Sequence, residues 1–124
     1  MITVEKKGNC TIFNVSGVVT ANEILTKAIE YVSGKQTDTA LWDFTKATQA
    51  DLKTIELKGI ADSLKKVEHD GKVRKIALVA SKTINIGLGK FFVAMAQMSN
   101  LPNQYKAFRS IGLAQEWLED RSTD

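Results

Sequence analysis

Polar and apolar residues alternate, or run apolar with β-branched side chains, over Ile2 to Lys7 and again over Cys10 to Ser16, the pattern of two strands. Gly8-Asn9 between them can take the positive φ that a two-residue turn demands, so the chain is expected to open with a β-hairpin. Gly17 breaks the second strand, and Thr20-Ala-Asn-Glu23 reads as a capping box in which hydroxyl and carboxylate satisfy opposite backbone donors. The helix it starts carries Ile24, Leu25, Ala28, Ile29 and Val32 at helical spacing and stops at Ser33-Gly34.

Thr39 to Phe44 and Arg74 to Ala80 are nearly unbroken apolar runs, as expected of strands buried on both faces of a parallel or mixed sheet. Between them a second helix, about Asp51 to Val67, carries Leu52, Ile55, Leu57, Ile60, Ala61, Leu64 and Val67 on one broad stripe, with His69-Asp-Gly71 ending it. A third helix, about Ile86 to Met98, has almost no polar side. Asn100-Leu-Pro102 closes it, Gln104 to Phe108 is a short fifth strand, and Ser110 caps a last helix bearing Leu113, Ala114, Trp117 and Leu118. The predicted order is β-β-α-β-α-β-α-β-α: an α/β fold with a mixed five-stranded sheet, about four helices and parallel crossovers. Residues 1–120 are expected to form one domain and 121–124 a frayed end.

A length of 124 residues, 44% of them hydrophobic and 25% charged, suits one soluble domain. No apolar run reaches membrane-span length, and Met-Ile-Thr-Val-Glu-Lys-Lys lacks the apolar core of a signal peptide, so a cytoplasmic protein without stable membrane insertion is expected. The net charge of +3 is scattered. Its densest points, Lys65-Lys66 and Lys72 to Lys75, flank Glu68 and Asp70 without interleaved aromatics, which argues against a nucleic-acid partner. Cys10 stands alone inside a predicted strand and reads as a small buried hydrophobe. His69 has no companions at metal-ligand spacing, so no metal is expected, and one histidine with one cysteine suggests no His-assisted triad. No catalytic residue and no cofactor is assigned.

Across nearly the whole chain this order resembles the STAS fold of anti-sigma factor antagonists, and more closely the SpoIIAA-like family. Gly17 with Thr20 and Glu23 opens the first helix, Leu41-Trp-Asp-Phe44 closes the third strand, and Phe108-Arg-Ser-Ile-Gly-Leu-Ala-Gln-Glu-Trp-Leu118 matches the closing strand and helix. The resemblance implies a switch, because the antagonists carry a phosphorylated serine in a pattern like Asp-Ser-Ser-Gly at the start of the second helix. Here Asp51 takes the aspartate's place and Leu52, Lys53 and Thr54 follow it, so the acceptor serine is missing. Thr48 or Thr54 could accept phosphate in its stead, but Thr48 as N-cap with Asp51 at N3 is the plainer account.

Open α/β sheets place sites at the carboxyl ends of their strands. Asp43, Thr45, Lys46, Thr48 and Asp51 should gather at one such end, with Ser81, Lys82, Thr83 and Asn85 beside them, as a candidate ligand or partner site. Gly87-Leu-Gly-Lys90 lacks the upstream glycine and following hydroxyl of a phosphate loop, and its glycines instead let the third helix start close against the sheet or a partner. Phe91, Phe92, Met95 and Met98 read first as core packing; they could also line an apolar pocket or a homodimer interface, and between those two an all-round apolar helix in a small domain favours self-association. The leading expectation is a non-catalytic binding or regulatory module acting through protein contacts. The alternative is a carrier of a small hydrophobic or lipid-like ligand, with the third and fourth helices as its lid. A weaker one is an enzyme using Asp43 and Asp51.

Overall fold

The computed structural model describes residues 1–48, 52–67 and 70–120. Strands β1 (Ile2–Lys7) and β2 (Cys10–Gly17) pair antiparallel with Lys7 opposite Cys10, leaving a two-residue loop. Gly8 has φ 58°, the left-handed value that suits a glycine-first hairpin turn. Asn9 keeps negative φ and works through its polar atoms instead. Its Oδ1 accepts the Asp38 N–H at 3.0 Å and its carbonyl accepts the Thr39 N–H at 3.2 Å, tying the hairpin tip to the start of the next strand. Helix α1 (Ala21–Ser33) is capped by Thr20, whose Oγ1 accepts the Glu23 N–H at 3.2 Å. The Glu23 carboxylate returns to the Thr20 hydroxyl, not to the backbone donor expected of a full capping box.

Strand β3 (Thr39–Ala47) runs three residues past its expected end at Phe44. Asn14 faces Asp43 but Ser16 faces Lys46, so β3 holds one extra residue, and this bulge lets the polar pair Thr45-Lys46 stay in a strand that patterning alone would end. Helix α2 (Thr54–Lys65) begins later than Asp51, with Lys53 as N-cap and its N–H donated to the Glu56 Oε1 at 2.9 Å. Thr48 is therefore not the cap: its N–H donates to the Gly17 carbonyl at 3.0 Å and continues the sheet. Glu56, three residues into a strong helical stripe, is the acceptor that fixes the start. Asp51, His69 and the expected frayed end at 121–124 lie outside the described residues.

Strand β4 (Lys75–Val79) leads into helix α3 (Thr83–Met98), then strand β5 (Gln104–Phe108) and helix α4 (Ile111–Glu119), which Ser110 caps by accepting the Leu113 N–H at 3.2 Å. Helix α3 starts a turn earlier than expected, because the Lys82 carbonyl already accepts the Ile86 N–H at 2.9 Å. Gly87 and Gly89 are thus interior to the helix. Gly89 still makes the close approach: a Cβ there would lie 3.6 Å from the Ala107 Cβ and 4.0 Å from the Leu78 Cβ, whereas Gly87 faces open space.

The five strands lie in chain order, β1 antiparallel and the rest parallel. Each β-α-β connection steps to the next strand in the same direction, and right-handed crossovers then place α1, α2 and α3 on one face of the sheet. Phe13, Val15, Ala40, Trp42 and Ile76 form the core beneath them. Phe13 stacks on Trp42 at 4.1 Å and meets the Tyr31 ring edge-on at 5.8 Å. Among the described elements helix α4 covers the other face, seating Ala114 against Leu41, Ala77 and Val79. The expected lid of third and fourth helices over one pocket is therefore excluded: the sheet stands between them. No described helix is long and apolar enough to cross a membrane.

Candidate functional site

Helix α3 reaches the sheet through Gly89, and α2 turns the buried side chains of Leu57 and Ile60 inward beside it. Among α1, α2, α3 and the sheet lies a cavity of about 90 Å³. Its walls include Ala28 of α1, Leu57 and Ile60 of α2, Leu88 and Phe92 of α3, and Trp42 of the sheet. Among the described residues the polar side chains on the lining are Tyr31, Asn85, Tyr105 and the indole of Trp42, and none of the described charged side chains lines it. Such a lining suits an apolar guest, since an uncompensated charge there would pay a desolvation penalty with nothing to offset it.

One end of the cavity is sealed by a polar network where the parallel strands begin. Tyr31 donates its hydroxyl to the Thr37 carbonyl at 2.8 Å, which also accepts Arg74 Nε at 3.2 Å. The Thr37 hydroxyl meets the Thr11 hydroxyl at 2.7 Å and donates to the Thr39 carbonyl at 2.7 Å. Arg74, 5% exposed, donates to both Asp70 carboxylate oxygens at 3.0 and 2.8 Å, and its backbone N–H donates to Asn103 Oδ1 at 3.0 Å. This fork of charged hydrogen bonds raises the Arg74 pKa against its burial. Burial pushes the Tyr105 phenol up to about 12, with a hydrogen bond from the Asn103 side chain pulling the other way. Tyr31 is raised as well, again by burial first. Both tyrosines stay neutral across the physiological range.

At the opposite end stands Asn85, 6% exposed in the first turn of α3, with Nδ2 3.4 Å from the Thr48 carbonyl. That contact joins the loops after β3 and β4, so the polar residues predicted there are brought to one end of the molecule. They do not form a shared pocket with the cavity: Asp43, Thr45, Lys46, Thr48, Ser81, Lys82 and Thr83 are all absent from its walls. Asp43 faces the α4 side with Leu41 and spends one oxygen on the Thr45 N–H at 2.9 Å and the Thr45 hydroxyl at 2.6 Å, securing the bulge. Lys46, Thr48, Ser81, Lys82 and Thr83 are exposed. Of the apolar candidates, Phe92 lines the cavity and meets Tyr105 edge-on at 5.4 Å, Phe91 and Met95 are half-buried, and Met98 is 75% exposed.

Sequence reasoning missed Tyr31 and Tyr105 as wall residues and did not assign the α1 and α2 side chains to a pocket. A tyrosine in an otherwise apolar stripe is the available signal, because its hydroxyl must find a partner where the stripe is buried. Among the described residues no group of three or more His, Cys, Asp or Glu side chains gathers as a metal site would. No family model matches this chain, and no curated protein matches it.

Proposed function

We propose that this protein is a non-catalytic binding module that takes a small hydrophobic ligand between its sheet and the α1–α3 layer, with regulation of a partner as the downstream role of that binding. The observation that carries this reading is the cavity of about 90 Å³ whose described lining is aliphatic and aromatic apart from Asn85 and carries no charge. Apolar cavities of about 150 Å³ stay dry and take up benzene, so a space of this order accepts a single ring or short chain with modest side-chain movement. Benzene titration followed by amide chemical shifts tests it. Shifts are expected at Leu57, Leu88 and Tyr105, and Ala28→Phe, which fills the space from α1, is expected to abolish them while the fold persists. Binding that survives the filled cavity, or shifts confined to other surfaces, sinks the reading.

Membership of the SpoIIAA-like family belongs to the same proposal, supported by the element order and the capped starts of α1 and α4. A second reading, contact with a protein or a second copy of this chain, is favoured by the outer stripe of α3. Ile84 is 50% and Met98 75% exposed, and Gly87, Phe91 and Ala94 fall between them at alternating spacings of three and four residues. Sedimentation equilibrium separates the two: a dimer lost in Met98→Glu supports the contact reading, and a monomer at every concentration removes self-association.

A further inference from the structure

The two cavity tyrosines share one arginine beyond the wall, and from this we infer that filling the cavity is reported through Arg74 to the surface around Asp70, Lys72 and Asp38. This rests on the proposal that the cavity binds a ligand and adds the route by which that binding regulates a partner. Tyr31 and Tyr105 line the space, whereas Thr37 and Asn103, which hold their hydroxyls, do not. Arg74 joins the two. Its Nε donates to the Thr37 carbonyl at 3.2 Å, the same oxygen that accepts the Tyr31 hydroxyl at 2.8 Å, and its backbone N–H donates to Asn103 Oδ1 at 3.0 Å. Away from the wall the guanidinium donates to both oxygens of Asp70, at 3.0 and 2.8 Å. Asp70 Oδ1 also accepts the Lys72 N–H at 3.0 Å. The Lys72 ammonium pairs with Asp38, which is hydrogen-bonded in turn to Asn9 at the hairpin tip. One continuous set of polar contacts thus runs from the cavity wall to side chains about half exposed to solvent.

The volume supplies the reason for a response. At about 90 Å³ the cavity is smaller than the roughly 150 Å³ that accepts benzene, so a ring entering it pushes wall residues outward. Aliphatic walls yield by changing rotamer, but a tyrosine tethered through its hydroxyl yields only by straining a hydrogen bond, which weakens steeply with angle. Two arrangements follow: an empty form with Arg74 held from both sides, and a filled form with its hold at Thr37 loosened and Asp70 retaining it. The ligand prefers the filled form, so by linkage anything that loosens Arg74 from the surface side tightens the ligand.

Benzene titrated into the intact protein, followed by chemical shifts, provides the test. The Arg74 Nε–H and the backbone amides of Lys72 and Asp38 are expected to move along the same saturation curve as the amides of Leu57 and Leu88. Asp70→Asn, a change outside the cavity wall, is expected to tighten benzene binding by about 5-fold, the lower end of coupling between sites. Saturation at Leu57 and Leu88 with Arg74, Lys72 and Asp38 unmoved overturns the inference and leaves the cavity reading intact. An Asp70→Asn affinity equal to or weaker than the parent's does the same, because the field of a nearby benzene ring can shift a proton on Arg74 but cannot change affinity from Asp70. Absence of saturable binding anywhere overturns both. The first comparison needs only the unaltered chain, so the outcome does not depend on the variant folding.

Discussion

At the scale of single residues, the neutral tyrosines and the buried arginine fix how the protein answers pH and substitution. Tyr105 titrates near 12 when folded and near 10.0 when unfolded, so the folded state holds its proton more tightly. The stability this represents is complete below pH 10 and is lost as pH rises towards about 12. Urea midpoints measured across that window should fall, and Tyr105→Phe should flatten the fall. Arg74 and Asp70 form one pair with unequal exposure, 6% for the Arg74 side chain against 52% for that of Asp70. Arg74→Met should lower stability by about 2–3 kcal/mol, because it strips charged hydrogen bonds from an enclosed site. Asp70→Asn should cost about 1 kcal/mol or less, its side being open to water. A reversed order in the urea midpoints would mean that the network matters less than its geometry suggests.

At the scale of elements, two glycines in neighbouring helices have opposite meanings. Gly59 sits exposed in the interior of α2 with nothing near a would-be Cβ, so Gly59→Ala should stabilise by about 0.5–1 kcal/mol, read as a higher urea midpoint with unchanged slope. Gly89 sits against Ala107 and Leu78, so Gly89→Leu should overpack the α3–sheet contact and cost about 1–3 kcal/mol. Every element was legible in the sequence because periodicity and cap residues agree, most cleanly at Thr20 and Ser110, where a hydroxyl precedes an apolar stripe. Boundaries slipped where tertiary pairing overrode local pattern. The bulge after Asp43 carried β3 through two polar residues, and Glu56 rather than Asp51 set the start of α2. The candidate site was less legible still. Polar loop residues announce themselves in a sequence, whereas a cavity arises from how side chains of three helices and the sheet meet, which no single residue encodes.

At the scale of the whole molecule, the two faces of the sheet are unequally guarded, three helices on one and α4 on the other. Ala114, fully buried beneath α4, should be an intolerant position: Ala114→Asp is expected to cost about 3 kcal/mol or more, with Trp117 fluorescence and far-ultraviolet circular dichroism lost in one transition. Separate transitions would show instead that α4 detaches from an otherwise intact domain. The same arrangement bears on how the chain is made. Synthesis delivers β1 through β5 and the three helices of one face before α4, so Leu41, Ala77 and Val79 lack their cover until α4 has been made. The nascent sheet therefore presents a sticky apolar face, and residues 111–119 decide when that exposure ends.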